Sequence, residues 1–264
     1  NVSDDSRANR WLVFIAFIMG VSIGVHLLNL LTIPALAFVY YFKRFKPSRL
    51  GIILAGVISI IILGFIQFVV ILKLPEAITT AELFFTNTLG MPFNTGSWFI
   101  VFISLTFILV GVWVTHKYEE DIDYALSGSV ISGLNFRTRN LNTIIVCLGM
   151  ILIGYSSYFM VVIRSTANPA IDMNNPEDPF NLLSYLQREQ YGSAPVFYGQ
   201  YYPAQQVEKE EVSSKYYQDI NKDGEDEYFF KSKRYQAVYE EEFCGVFPRM
   251  WSPQKNHIRT YRNI

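Results

Sequence analysis

Long apolar blocks alternate with short polar segments along the first 164 residues, and this pattern predicts helices that cross a membrane. Charge-free stretches run through 50–72, 97–115 and 141–163. Each is close to the roughly 20 residues that a helix needs to cross about 30 Å of hydrocarbon. We therefore predict three spanning helices, at about 50–72, 97–116 and 141–163.

The first apolar block, Trp11–Phe42, is too long for one straight span, because its 32 residues would measure about 48 Å as a helix. Basic residues lie on both sides of it, and short basic loops belong on the cytoplasmic side. They are Arg7, Arg10, Lys43, Arg44, Lys46 and Arg49. We predict a hairpin of two short helices, 11–24 and 25–42, that turns near Gly24 to Asn29 below the outer surface. Irregular backbone at that depth must be buried in protein or line a wet cavity.

This orientation fixes the rest of the predicted topology. The loop 73–96 lies outside, the loop 116–140 lies inside, and residues 165–264 form an extracytoplasmic tail. Residues 1–164 are then the transmembrane region. We expect an integral protein of the bacterial inner membrane with a periplasmic tail; in a eukaryotic cell the same topology would place the tail in the secretory lumen.

The tail carries signals for one helix and one β-hairpin. Asp178 suits an N-cap, Pro179 suits the first helical position, and Gly192 suits the position after the end, so we predict a helix over 179–191. Two aromatic segments, 215–217 and 228–230, flank a turn sequence and predict paired strands. The overall fold class is mostly α, with polytopic membrane helices followed by a small α+β domain.

Composition excludes several functions. A net charge of −1 gives no electrostatic footprint for nucleic acid, and two cysteines give neither a disulfide framework nor a paired-cysteine zinc motif. Sequence signatures of Ser-His-Asp, Cys-His or HExxH catalysis are absent. The chain starts without Met or a secretory leader, so we expect it to be a piece of a longer protein.

Arg164 closes the last apolar stretch and opens a segment rich in Asn, Asp and Pro, including Asn168 and Asp172. Such a cluster at the membrane surface is expensive unless it contacts something charged. Arg188 returns on the predicted helix, and Arg249 follows in a Pro-rich stretch. Guanidinium groups there could clamp a phosphate through bidentate hydrogen bonds. The alternative for Arg164 is an interface residue that snorkels to the surface.

His26 and Asn29 fall at the predicted bend, where a polar side chain facing hydrocarbon would be costly. They are candidates for substrate contact. The equal alternative is that they satisfy backbone groups that the bend releases.

A calcium loop is a weaker candidate. Oxygen-bearing side chains occur at alternate positions with Gly224 in sixth place, namely Asp219, Asn221, Asp223 and Glu227. The bidentate Glu expected in twelfth place is Phe230, which favours a plain hairpin turn. Apart from this candidate we predict neither a metal nor another cofactor.

Three stretches resemble a bacterial family of multi-pass membrane proteins of unknown function that is related to a vertebrate transmembrane protein O-mannosyltransferase. They are Gly20–Leu36 (GVSIGVHLLNLLTIPAL), Ile153–Gly192 (IGYSSYFMVVIRSTANPAIDMNNPEDPFNLLSYLQREQYG) and Phe247–Ile258 (FPRMWSPQKNHI). The resemblance implies a GT-C class glycosyltransferase. Such an enzyme takes a sugar, here expected to be mannose, from a polyprenyl-phosphate donor and attaches it to Ser or Thr of a translocated protein.

The resemblance also implies that the acidic general base lies outside this chain, so the chain alone should be inactive. His26 and Asn29 would form the lower wall of the donor cavity, and Arg164 to Gly192 its outer lip. Two alternatives stay open: a transporter or flippase of lipid-linked saccharide, which also needs broken helices, and a non-catalytic membrane scaffold.

Overall fold

The computed structural model describes residues 8–119, 138–188, 197–218, 226–248, 251–252 and 254–263. Most of them are helical, and the strands lie near the C-terminal end. The helices are α1 (Ala8–Val25), α2 (Thr32–Arg44), α3 (Arg49–Phe65), α4 (Leu74–Leu83), α5 (Thr95–Lys117), α6 (Thr138–Tyr155), α7 (Phe159–Ser165), α8 (Pro179–Leu186) and α9 (Lys255–Arg262). The strands are β1 (Tyr198–Gln200), β2 (Gln206–Gln218), β3 (Tyr228–Tyr239) and β4 (Cys244–Val246).

Three continuous helical stretches within the described residues are long and apolar enough to cross a membrane: Arg49–Thr88, Thr95–Lys117 and Asn140–Ser165. All three predicted spans are therefore present. Their apolar side chains are largely exposed, as expected where lipid replaces water around the protein. The protein is an integral membrane protein with a small strand-containing tail.

The first spanning stretch differs from its prediction, because the residues assigned to a loop from Lys73 onward are helical. A π-helical segment, Ile66–Lys73, joins α3 to α4, and a second, Phe84–Thr88, follows α4. The charged pair Lys73 and Glu76, 2.7 Å apart, lies on the helix surface and does not end it. Pro75 is tolerated because it stands in the first turn of α4, directly after the π-helical segment. The predicted loop is thus wrong over residues 73–88. The loop that connects to α5 consists of residues 89–94 only.

The first apolar block is broken as predicted. A 3-10 helix, Leu27–Leu31, separates α1 from α2. The chain turns at the level of Ser157, against which Gly24 lies. Ser157 precedes the end of the third spanning stretch at Ser165 by eight residues, or about 12 Å of helix. The two arms therefore form a short hairpin whose turn stops below that end.

The turn is held by a core of apolar side chains from α1, the turn itself, α2, the π-helical segment 66–73 and the end of α6. The 3-10 helix after α1 packs against the π-helical segment 66–73 and against a second 3-10 helix, Ser156–Tyr158, at the end of α6. The buried members are Ile23, Leu30, Ile33, Ile66, Val70, Ile71 and Tyr155. Protein thus covers one side of the turn, at Leu30, while Val25, Leu28 and Leu31 are exposed.

α1 runs parallel to α6 and packs on it through glycines. A Cβ at Gly20 would overlap the Ile151 carbonyl oxygen, and one at Gly154 would overlap the α1 backbone. Small residues allow such close approach of helix backbones in membranes. Asn9 and Thr143 make a side-chain contact of 3.4 Å at the opposite end of the same interface.

The tail forms α8 and two small antiparallel sheets, β1–β4 and β2–β3. The predicted β-hairpin is confirmed: β2 and β3 pair with Tyr217 opposite Phe229. The predicted N-cap is also confirmed, since the Asp178 carboxylate accepts the backbone N–H groups of Phe180 and Asn181. The helix is shorter than the predicted 179–191, because it ends at Leu186.

The hairpin docks on the ends of the first two spanning stretches. Asn87 exchanges two hydrogen bonds with the Tyr228 backbone, at 2.7 and 3.0 Å, and the Phe93 N–H donates to Asp226 at 3.0 Å. The 89–94 loop and the tail therefore lie at the same end of the bundle, which we call the tail side. The α2–α3 connection and the end of α5 lie at the other end, in agreement with the predicted relative topology.

The glycine interface predicts opposite effects for two Gly→Ala substitutions in spanning helices. Gly20→Ala should destabilise the protein by about 1–3 kcal/mol, because its methyl group overpacks the α1–α6 contact. Gly64→Ala is the matched control: nothing lies within 4 Å of a Cβ there, so the better helix former should be neutral or stabilising. Thermal unfolding in detergent measures both, and an unchanged midpoint for Gly20→Ala would contradict the close packing.

Candidate functional site

Arg164 lies in the last turn of α7, at the tail side, and its side chain is exposed. Among the described residues its guanidinium has no hydrogen-bond or ion-pair partner. It stands seven residues beyond Ser157, or about 10 Å along the helix from the level of the buried turn. The placement at the end of a spanning stretch fits both the phosphate role and the snorkelling alternative, so phosphate contact stays a prediction.

The segment after Arg164 folds back onto Ser165. The Ser165 hydroxyl is buried and donates to Asp172 at 2.7 Å, with Asn175 Oδ1 at 3.1 Å. Asn168 has a positive φ of 47° and its N–H donates to the Ser165 carbonyl at 2.8 Å. This compact loop fixes the backbone that follows Arg164. Asp172 thus bonds to a serine hydroxyl, while a substrate role for Asn168 and Asp172 remains untested.

Arg188 stands just past the end of α8 with a left-handed φ of 56°, and its N–H donates to the Tyr185 carbonyl at 3.0 Å. A residue in this conformation ends the helix, which explains why α8 stops before the predicted Gly192 cap. The Arg188 side chain is exposed. Arg249 lies outside the described residues.

His26 and Asn29 both contact the backbone of the turn. His26 Nδ1 accepts the Leu28 N–H at 3.1 Å and caps the 3-10 helix. Asn29 donates to the Ser22 carbonyl at 3.0 Å. These contacts are the ones expected of residues that satisfy backbone groups released by the bend. A substrate contact by the exposed face of His26 stays a prediction.

The calcium prediction stays untested, because most of its residues lie outside the described part of the chain. Asp219, Asn221 and Asp223 lie outside the described residues, while Glu227 is described and exposed. Within the described part of the chain, His, Cys, Asp and Glu side chains form no group of three or more suited to a metal ion.

A cavity of about 480 Å³ lies between α4, α5, α6, α7 and α8, and the sequence did not predict it. We call it the slot. Its wall along α5 runs from Ser97 to Val112, about 22 Å of helix. Most residues that line the slot are apolar. Asn94, Glu177 and Asp178 line its tail-side end, which we call the mouth. None of the residues named singly as site candidates lines the slot, although part of the predicted outer lip, from Glu177 to Leu186, does.

One polar group inside the slot lacks a partner. Tyr155 is 8% exposed and lines the slot, and its hydroxyl is buried without a hydrogen bond to any described residue. Its ring packs edge-on against Tyr158 at 5.0 Å. A hydroxyl in apolar surroundings costs free energy when it is unpaired.

Glu82 carries a fully buried carboxyl group that the sequence did not predict. It accepts hydrogen bonds from the N–H groups of Asn94 and Ser97, from the Ser97 hydroxyl and from the Tyr228 hydroxyl. Glu82 thereby joins α4, the start of α5 and the tail hairpin. Burial raises the pKa of Tyr228, which keeps this phenol a donor. Because both carboxyl oxygens are occupied and shielded, Glu82 is a structural residue and not an accessible general base.

Two parts of the chain each match the model of a protein family. Residues 1–49 match the model of the protein O-mannosyl-transferase TMEM260 N-terminal domain. This segment contains α1, the buried turn and α2. It supports a relationship to protein O-mannosyltransferases for the first part of the chain and does not extend to the resemblance over Ile153–Gly192.

Residues 192–264 match the model of a family of unknown function, DUF8416. This segment covers the strands of the tail and α9. No curated protein matches the chain, and no solved structure matches it.

Glu82→Gln should loosen the hairpin from the membrane helices. An amide offers a single acceptor oxygen and would direct its NH₂ group at existing donors, so we expect a loss of about 1.5–3 kcal/mol. Faster amide hydrogen exchange at Tyr228 and Phe230 would report it. Glu76→Gln, at an exposed position of the same helix, is the control and should leave exchange unchanged. Equal protection in both variants would show that Glu82 does not hold the hairpin.

Asp178 should make stability depend on pH. Burial raises the pKa of its carboxyl group above the usual 3.8, against the opposing effect of the two N–H groups that it accepts. Folding therefore favours the protonated form. The stability that Asp178 contributes is fully present below pH 3.8 and is lost as pH rises through the raised pKa. Thermal midpoints of wild type and Asp178→Asn, measured from pH 3.5 to 7, should shift in favour of the variant with rising pH; a constant difference would contradict this.

Proposed function

We propose that this chain is part of a membrane-embedded glycosyltransferase of the GT-C class. The enzyme would move a sugar, expected to be mannose, from a polyprenyl-phosphate donor to Ser or Thr of a translocated protein. The observation that carries the proposal is the match of residues 1–49 to the N-terminal domain of a protein O-mannosyl-transferase. We further propose that the protein lies in a bacterial inner membrane with its tail in the periplasm.

The fold of the matched segment supports this proposal. Its short hairpin turns below the tail-side end of the third spanning stretch and packs on one side against the π-helical segment 66–73 and the end of α6. Broken helices at membrane depth are a common way to bring a polar substrate to lipid-facing helices. A donor with a long apolar tail and a phosphate head needs both a lipid-facing surface for its tail and a polar site for its phosphate.

Arg164 is our proposed contact for the donor phosphate. In the transfer, the bond between sugar C1 and the phosphate oxygen breaks, a bond from the acceptor hydroxyl oxygen to C1 forms, and the hydroxyl proton passes to a base. Negative charge grows on the departing polyprenyl phosphate. A guanidinium at the end of a spanning stretch, exposed and without a partner among the described residues, is suited to stabilise that charge.

The general base is not assigned. Glu82, the fully buried acid at the tail side, is saturated by four donors. We therefore propose that the base comes from a part of the enzyme outside this chain, and that the chain alone is inactive. Arg188, Arg249, His26 and Asn29 are proposed as secondary contacts for the donor.

Arg164→Ala in the full-length gene product should reduce sugar occupancy on periplasmic proteins at least tenfold without lowering the amount of protein in the membrane, about the loss expected for a charge-assisted contact. Mass spectrometry of glycopeptides measures the occupancy. Arg49→Ala, at the opposite end of the bundle, is the matched control and should retain full occupancy.

Normal occupancy in the Arg164→Ala strain would remove Arg164 from the site. Unchanged glycosylation after deletion of the whole gene would overturn the transferase proposal. A flippase would be recognised in proteoliposomes, where labelled lipid-linked sugar would cross the bilayer without transfer to an acceptor peptide.

A further inference from the structure

The slot between α5 and α6 has the shape of a binding site for one hydrocarbon chain. Its volume of about 480 Å³ is drawn out over about 22 Å of α5, which makes it about one extended chain wide. Spanning stretches form its long walls, so lipid is the material that surrounds it. Its polarity is graded, with apolar side chains along its depth and polar groups at the mouth.

The mouth favours a particular kind of lipid head. Glu177 is exposed there and one of its carboxylate oxygens accepts a hydrogen bond from Asn175 at 2.8 Å, whereas the Asp178 carboxyl group is occupied as the N-cap of α8. The residues that line the slot include these two acids and, in the described part of the chain, neither Lys nor Arg. The exposed Glu177 carboxylate favours a head group that carries an ammonium group over a purely anionic one. A polyprenyl phosphate is therefore a poor occupant.

Tyr155 gives a second, independent indication of a ligand. Gly149 of α6 lies against Ile108 of α5, which sets the two helices in register. Tyr155 is six residues from Gly149 toward the mouth, and Ser97 is eleven residues from Ile108 in the same direction. The five-residue difference places Tyr155 about 7 Å below Ser97. Tyr155 is thus a slot residue below the mouth, and its unpaired hydroxyl could donate to the ester carbonyl of a bound glycerolipid.

We propose that the slot binds one acyl chain of an amine-headed phospholipid such as phosphatidylethanolamine. The ammonium group pairs with Glu177 at the mouth, the ester carbonyl accepts a hydrogen bond from Tyr155, and the acyl chain fills the space between α5 and α6. The site is separate from Arg164, shares Tyr155 with the core that holds the buried turn, and does not depend on the transferase proposal.

Native mass spectrometry of the delipidated protein, titrated with defined phospholipids, tests this site. Phosphatidylethanolamine should remain bound at collision energies that remove phosphatidylglycerol and polyprenyl phosphate. Ser104→Phe, which fills the slot, should abolish this selective binding, and the smaller Ser104→Met should weaken it if the Phe variant does not fold. Thr106→Phe is the matched control, because Thr106 is exposed and lies outside the slot.

Two further variants separate the head group from the chain. Glu177→Gln should remove the preference for the amine head while binding of diacyl lipid persists, and Glu227→Gln should not change it. Tyr155→Phe should weaken binding of every ester-linked phospholipid by about two- to tenfold, the effect of one hydrogen bond. Equal retention of all lipids in wild type, unaffected by Ser104→Phe, would show annular lipid only and overturn the proposal, as would a preference for an anionic head.

Discussion

The structure depends on one constraint: backbone that leaves helical geometry inside a membrane must find its hydrogen-bond partners within the protein. The turn after α1 meets it with its own side chains, since His26 accepts a backbone N–H and Asn29 donates to a backbone carbonyl. The apolar core then covers one side of the turn, at Leu30. That core brings two more irregular segments, 66–73 and 156–158, to the same place. The irregular segments of these helices thus pack against one another in one region of the structure.

A second link connects this membrane core to the tail. The π-helical segment 66–73 leads directly into α4, whose Glu82 binds both the start of α5 and Tyr228 of the hairpin. Rings of Phe93 and Phe180 pack on Tyr228 with centroids 4.9 Å away. The segment that matches a family of unknown function therefore packs against the spanning helices. A structural change in either part would alter the contacts of the other.

The sequence was informative where a single local signal decides the structure. Apolar block length located the spans, charge at both ends predicted the broken first block, and Asp178 with Pro179 located the start of α8. It failed where tertiary packing decides. The end of the charge-free stretch at Leu72 indicated a loop, yet the chain stays helical to Thr88, with Pro75 tolerated in the first turn of α4. The end of α8 at Leu186 followed from Arg188 adopting a left-handed conformation that sequence reasoning assigned to glycine.

Candidate chemistry was harder to predict than the fold. Arg164 could be found because it ends an apolar run. Glu82 and the slot could not, because each is made by residues far apart in sequence: the Glu82 site joins α4, α5 and β3, and the slot joins five helices. A lone Glu in a polar stretch and a Tyr in an apolar one carry no sign of such partners.

Sidedness is the central claim, because sugar transfer to a translocated protein requires the tail and the 89–94 loop to face the extracytoplasmic space. Thiol labelling of intact cells tests it directly, with Cys147 and Cys244 replaced and a single cysteine introduced at Met91 or at Lys46. The account predicts that a membrane-impermeant maleimide labels position 91 in intact cells and position 46 only after the membrane is permeabilised. The reverse pattern would place the tail in the cytosol and contradict the account.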